Sequence, residues 1–198
     1  MRRRGVLAGV AALGGCSVLP SAPNVQRRDW PLEVRRETVL PPRLRGRVLL
    51  VRSVQAAPGL EARGLQWLQK DGSVHIDFYE QWAVPPAQAV EDDLRQWLTA
   101  AGLFSAVVST GSLLTPDFVL DGELNTFIAD INTGVARVAL ALVLLDQRPG
   151  RSKVALQKTE SAEVKLAGTE PPAIANGLKA ALADVLRQSE ADVAAVTR

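Results

Sequence analysis

The chain has 198 residues, with 23 basic and 21 acidic side chains, one histidine and one cysteine. Its net charge is +2, but residues 1–15 contain three arginines and no acid, so the rest of the chain carries −1. A body this close to neutral lacks the basic excess that nucleic-acid binding requires, so no nucleic-acid partner is expected. One cysteine excludes a disulfide within the chain, and the length suits a single domain with a sizeable core.

The first sixteen residues have the pattern of an export signal. Three arginines, at positions 2–4, precede a short apolar run that ends in Leu13-Gly14-Gly15-Cys16. A basic segment, an apolar segment and small residues at the cleavage position are typical of a secretory signal peptide. The residues before the thiol resemble the lipobox of bacterial lipoproteins. That resemblance implies removal of residues 1–15 and attachment of lipid to Cys16, with fatty acids such as palmitate.

Two further features bear on where this anchor would hold the protein. The apolar run is shorter than the roughly 20 residues that a membrane-spanning helix needs, so we expect attachment to one leaflet. Ser17, rather than aspartate, follows the cysteine. By resemblance to lipoprotein sorting in enteric-type bacteria, this favours the periplasmic face of the outer membrane over retention at the inner membrane. An ordinary signal peptide with a chance cysteine is the alternative.

Residues 16–46 are rich in proline and arginine, and we interpret them as a tether with one short edge strand near residues 30–34. Seven arginines between positions 27 and 47 face three acids. This charge could attract anionic lipid headgroups, or the segment could be a solvated arm without a specific partner. The globular domain is then expected to span residues 47–198.

Alternating apolar residues predict the strands of this domain. Asp71-Gly72 lies between two strand-like runs, residues 65–69 and 74–79, which is a strong hairpin signal. Further strands are expected near residues 48–51, 104–108, 118–128, 135–145 and 154–164. The run from Val135 to Leu145 is almost continuously apolar, which predicts a central strand covered on both faces.

Two amphipathic helices complete the prediction. Apolar residues recur at three- and four-residue spacing from Ala87 to Ala101, after Pro85-Pro86 and before Gly102. A second apolar stripe runs from Ile174 to Val193. The expected fold is α+β, with a mainly antiparallel sheet of about six or seven strands and two amphipathic helices packed on it.

The chain offers little to catalysis. His75 is the one histidine, and no Gly-x-Ser-x-Gly motif or phosphate-binding glycine loop is present. With no free thiol after lipidation, zinc would lack its usual ligands. The carboxylate pairs Asp92-Asp93 and Asp121/Glu123 are interpreted as solvated surface groups. We therefore expect no enzyme activity, no catalytic residue, no metal site and no cofactor.

Aromatic and proline residues are the candidates for binding a partner. Trp67, Tyr79 and Trp82 fall on neighbouring predicted strands, and such residues are common anchors at interfaces. Core packing is the alternative, and it is favoured for Trp82 and Trp97. Pro85 and Pro86 follow the second hairpin strand. The candidate partner-binding residues are therefore Trp67, Tyr79, Trp82, Pro85 and Pro86.

Two segments resemble a known family. Tyr79-Glu80-Gln81-Trp82-Ala83-Val84-Pro85-Pro86 and Asp117-Phe118-Val119-Leu120-Asp121-Gly122 are similar to segments of the ABC-type transport auxiliary lipoproteins. These are partners of MCE-domain systems that move lipid between membranes, including the paraquat-inducible system. The resemblance implies a non-catalytic lipoprotein that binds an MCE-domain protein and ABC transporter subunits, with a homo-oligomeric ring plausible. A structural or assembly lipoprotein of the envelope, without a transport role, is the alternative.

Overall fold

The structure is a computed structural model that describes residues 26–43 and 46–197. The signal peptide, Cys16 and the tether residues 17–25 and 44–45 lie outside these residues. In chain order the elements are β1 (Arg28–Trp30), β2 (Val48–Ala56), β3 (Gly64–Leu68), β4 (Val74–Trp82), α1 (Pro86–Ala100), β5 (Ala106–Ser109), β6 (Phe118–Asp130), β7 (Val135–Asp146), β8 (Lys153–Lys165) and α2 (Pro171–Thr197).

The described strands form one mixed sheet of eight strands, so the expectation of a mainly antiparallel sheet of six or seven strands was wrong. Four strand pairs are parallel: β1 with β4, β2 with β5, β2 with β6, and β3 with β6. The three antiparallel pairs are β3–β4, β6–β7 and β7–β8, all joined by short turns. Those hairpins were visible in the sequence, whereas the parallel pairs join strands that are distant in the chain.

The central strand is β6, which explains the mixed topology. One edge of β6 pairs with β7 along its whole length, from Phe118 to Asp130. The other edge pairs first with β2 and then, at Ala129 and Asp130, with β3. Strands β2, β3, β5 and β6 therefore all run in one direction, and β4 and β7 run in the opposite direction.

Both predicted helices are confirmed, and together they cover one face of the sheet. Helix α1 has Pro86 in its first turn, where a missing N–H costs no hydrogen bond, and the chain leaves it at Gly102 with φ +64°. Helix α2 packs mainly on β7 and β8. Among the described residues, none of the helices combines the length and apolar character needed to cross a membrane.

Strand β7 lies between β6 and β8, but it is not covered on both faces. Its residues alternate strictly, with Ala136, Val138 and the next three even-numbered residues buried under the helices. The odd-numbered residues, including Val143 and Leu145, stay half-exposed and are not part of the helix-covered core. Within the described part of the chain, the second face of the sheet therefore carries no helix.

The folded unit begins before residue 47. Strand β1 pairs with β4, slightly ahead of the expected edge strand at residues 30–34. After β1, Leu32 and Val34 are 5% and 7% exposed and belong to the core. Residues 28–43 are thus a structural part of the domain.

Candidate contact surface

Strand β4 contains a bulge that pushes two aromatic side chains outward. On β3 one residue separates Gly64 from Gln66, whereas on β4 four residues separate their partners, Gln81 and Ile76. The extra residues form the segment Asp77–Glu80, which we call the aromatic bulge because it carries Phe78 and Tyr79. A bulge of this kind re-aims side chains and interrupts strand pairing.

The aromatic bulge is held by hydrogen bonds at both of its ends. The Asp77 carboxylate accepts hydrogen bonds from the backbone N–H groups of Tyr79 and Glu80, at 2.7 and 2.9 Å. At the other end, the indole N–H of Trp30 donates to the Glu80 carboxylate at 2.8 Å, and Arg28 lies 3.4 Å from the same group. The bulge is therefore anchored to the strand β1 that enters the domain.

Glycine at position 64 is what permits this shape. A Cβ atom added there would lie 2.2 Å from the carbonyl oxygen of Asp77 and 2.7 Å from the Ile76 side chain. The backbone of β3 thus approaches the start of the bulge more closely than any other residue type would allow.

Exposed apolar side chains concentrate on this part of β4. Phe78 is 64% exposed, Val74 49%, Ile76 47% and Tyr79 43%. Phe78 and Tyr79 contact each other edge to face, and the Arg27 guanidinium lies 4.7 Å from the centre of the Phe78 ring. Since β1 pairs only with residues 80–82, residues 74–79 have no strand partner on this edge among the described residues. An unpaired strand edge, two exposed aromatic rings and the Arg27 guanidinium therefore lie together in this part of the described domain.

The structure places the five predicted binding residues in different environments. Tyr79 lies on the aromatic bulge, and Pro85 is exposed in the turn that precedes α1. Trp67 is half-buried and stacks on His75 at 4.1 Å between ring centres. Trp82 is 1% exposed and packs against Phe127, and Pro86 is buried in α1. Trp82 and Pro86 therefore contribute to the core, since neither presents surface to a partner.

Phe78 is the residue that sequence reasoning missed. Alternation along residues 74–79 groups its side chain with those of Val74 and Ile76 on one face of the strand, and Phe78 was not among the candidate binding residues. The overlooked signal is Asp77, because a short acidic side chain within a strand often caps its own backbone and breaks the alternation.

The carboxylate pairs differ from the expectation as well. Asp93, in the second turn of α1, is 4% exposed rather than solvated. Its carboxylate accepts a hydrogen bond from the Val34 N–H at 3.1 Å, which fixes the N-terminal segment on α1. Burial raises the pKa of Asp93 to about 7, against the lowering effects of that hydrogen bond and of Arg35. Asp121, by contrast, pairs at the surface with Arg52.

A second surface feature lies where residues 35–42 cross the helices. Two adjoining grooves of about 380 and 410 Å³ share Arg35, Arg36 and Trp97 in their walls. Glu190 of α2 closes the junction: it accepts from Arg36 at 3.0 and 3.2 Å and from the Trp97 indole at 2.8 Å. The arginines that line the grooves already pair with side-chain acceptors or carboxylates. We therefore interpret these contacts as holding the N-terminal segment, α1 and α2 together, and not as a ligand site.

No cluster of three or more histidine, cysteine or acidic residues that could hold a metal ion occurs in residues 26–43 and 46–197. His75 is occupied by its stacking on Trp67, with the Asp77 carboxylate 3.9 Å away. On β4 the fold brings together four exposed apolar and aromatic side chains, those of Val74, Ile76, Phe78 and Tyr79.

Comparison with known proteins shows which family this domain belongs to. The model of the family described as "ABC-type transport auxiliary lipoprotein component" matches residues 31–189. The chain therefore belongs to that family, and its members are described as lipoproteins. The resemblance seen in the sequence is confirmed to this extent. No curated protein sequence matches the chain.

Solved structures confirm the fold. Protein XCC0632 from Xanthomonas campestris is 19% identical, with a TM-score of 0.69 over 85% of this chain and 96% of that one. The hypothetical protein CT253 from Chlamydia trachomatis is 11% identical, with a TM-score of 0.55 over 77% of this chain and 98% of that one. At these identities the likeness concerns the fold alone.

Proposed function

We propose that this chain is a periplasmic lipoprotein, held at the outer membrane by Cys16, that acts as the non-catalytic accessory of an ABC/MCE-type system moving lipid between the inner and outer membranes. The observation that carries the proposal is the family match over residues 31–189, joined to the Leu-Gly-Gly-Cys motif ahead of it. The family description supplies transport and lipid attachment. The MCE partner and the outer membrane come from the sequence resemblance and from Ser17.

Within this role the protein works by binding. Apolar residues are exposed at the end of β4, where the turn Ala83–Pro85 offers a fixed protein-binding surface. The N–H of Ala83 donates to the carbonyl of Trp30 at 2.8 Å, and Val84 is 39% exposed. A rigid exposed turn loses little conformational entropy on binding, which favours its use as a contact.

The test is affinity purification of the full-length lipoprotein from its native envelope in mild detergent, with co-eluting proteins identified by mass spectrometry. We expect an MCE-domain protein and ABC transporter subunits in near-stoichiometric amounts. Val84→Asp should reduce their recovery, because it places a charge in the exposed turn. Val154→Asp is the matched control, since Val154 is 53% exposed on the far strand β8.

Recovery of outer-membrane or cell-wall assembly factors, without any transporter subunit, would contradict the transport role and favour the structural alternative. Cross-linking of the purified protein in the same experiment would test the homo-oligomer that the resemblance implies. A chain that stays a single copy would contradict a ring.

A further inference from the structure

The aromatic bulge is exposed without a use in the proposed function. It presents Phe78 and Tyr79 beside the apolar side chains of Val74 and Ile76, at an edge of the sheet. Exposed apolar residues that stand together on a soluble domain mark a contact surface, whereas single ones do not.

The position of the bulge along the chain indicates what it contacts. The domain is entered through Arg27 and Arg28, and Arg27 lies over the Phe78 ring. Ten residues lie between Cys16 and Arg27. Even fully extended, the eleven steps from Cys16 to Arg27 span at most about 40 Å. A lipid on Cys16 therefore keeps the bulge close to the bilayer.

The chemistry of the bulge fits a bilayer surface. Aromatic side chains with neighbouring basic residues are favoured at the boundary between headgroups and acyl chains. Here the cation over the Phe78 ring is Arg27, while Arg28 pairs with Glu80 and the Asp77 carboxylate accepts from backbone N–H groups. Because these bonds fix the bulge, its rings would enter the interface with little further ordering.

We propose that the aromatic bulge is a membrane-contact element, which inserts Phe78 and Tyr79 into the headgroup region of the bilayer that holds the anchor. This inference rests on the lipid-anchored part of the proposed function and is independent of the transport partner. It gives the domain a fixed orientation, with the bulge at the membrane and the Ala83–Pro85 turn following it after two residues of β4.

The experiment uses the lipidated full-length protein, purified in detergent and reconstituted into vesicles of phosphatidylethanolamine and phosphatidylglycerol. A photoreactive phenylalanine analogue replaces Phe78, Tyr79 or Val154, one position at a time. After flotation and illumination, mass spectrometry identifies the adducts. The proposal predicts lipid adducts at positions 78 and 79, about tenfold more abundant than at 154, because an interfacial contact holds the ring among lipids.

Three results would overturn the proposal. Adducts between two copies of the chain at position 78 would show that the β4 edge binds a second copy. Equal lipid adducts at 78 and 154, or none at either, would show that the domain has no preferred membrane face. A chain that fails to float would refute the anchor and this proposal together, while co-purification with transporter subunits would still decide the partner.

Discussion

Individual buried polar groups hold the N-terminal segment and the helices together. Glu190 is the clearest case, because one partly buried carboxylate accepts hydrogen bonds from Arg36 on the N-terminal segment and from Trp97 on α1. Three elements that are distant in the chain meet at this one side chain. Sequence reasoning placed Trp97 in the core, where it is 4% exposed, but could not supply its acceptor.

We predict that Glu190→Ala lowers the free energy of unfolding by about 1–3 kcal/mol. The substitution leaves a partly buried guanidinium and a buried indole N–H without their acceptor. Asp184→Ala is the matched control, since Asp184 forms only an exposed pair with Arg187 on the same helix. Its expected cost is about 0.5 kcal/mol or less. Equal losses in chemical denaturation would contradict the role of Glu190.

Asp93 makes stability depend on pH. Its pKa is raised to about 7 by burial, above the ordinary value of 3.8 that it has in the unfolded chain. Between these two values the folded state binds more protons than the unfolded state, so this group lowers the free energy of unfolding as pH rises. The neighbouring charges of Glu33, Arg35 and Asp92 are part of this balance.

We predict that Asp93→Asn gains stability relative to the wild type as pH rises from about 4 to about 7, and that the difference is constant above that range. Each unit by which the pKa of Asp93 in the folded protein exceeds its value in the unfolded chain corresponds to about 1.4 kcal/mol. The total change in the stability difference should therefore be on the order of a few kcal/mol. Urea unfolding of both proteins across the pH range measures it, and titrations common to both cancel. A difference independent of pH would contradict the raised pKa.

At the scale of single elements, the aromatic bulge depends on the close approach of β3. Gly64 is the residue that permits it, because an added Cβ would clash with the Asp77 carbonyl. We predict that Gly64→Ala lowers the free energy of unfolding by about 2 kcal/mol or more, since backbone on both strands must move. It should also weaken the Phe78 lipid adducts.

Gly72→Ala provides the comparison for Gly64→Ala. Gly72 has φ +83° in the hairpin turn and open space around its Cβ position, so only the left-handed conformation opposes the change. Its expected cost is about 1 kcal/mol. Thermal unfolding of the two variants decides the point: a Gly64→Ala protein as stable as Gly72→Ala would show that the bulge does not need the glycine.

Elements that depend on local pattern could be predicted, and those that depend on distant pairing could not. The Asp71-Gly72 hairpin, the β7–β8 pair and both helices follow from turn residues and periodicity within a few residues. Strand β2 instead pairs with β5 and β6, and both of these strands lie more than 50 residues further along the chain. Nothing in β2 itself specifies the direction of those neighbours.

The candidate site followed the same rule. Tyr79 and Pro85 were candidate binding residues by type and position, and both are exposed, whereas Phe78 was not a candidate because alternation ignores a bulge. The bulge forms only when Asp77 caps its own backbone and Gly64 lies opposite, which is a contact between two strands. Sequence spacing cannot show that contact.

On the scale of the whole molecule, the two faces of the sheet differ. Helices α1 and α2 cover one face, while the second face shows the half-exposed odd-numbered residues of β7 and the apolar side chains of β4. The chain enters at the β1–β4 edge, where the aromatic bulge lies. A lipid at Cys16 would turn this edge toward the membrane and leave the rest of the domain facing the periplasm.

This account depends above all on the lipid at Cys16, so the most direct measurement is the intact mass of the mature protein isolated from its native envelope, alongside the Cys16→Ala variant. The account predicts a chain that begins at Cys16, with a diacylglyceryl group on the thiol and an acyl group on the new amino terminus. The variant should be unlipidated and should lose stable membrane retention, because it lacks acyl chains to bury. An unmodified thiol, or a processed Cys16→Ala protein that stays in the membrane, would contradict it.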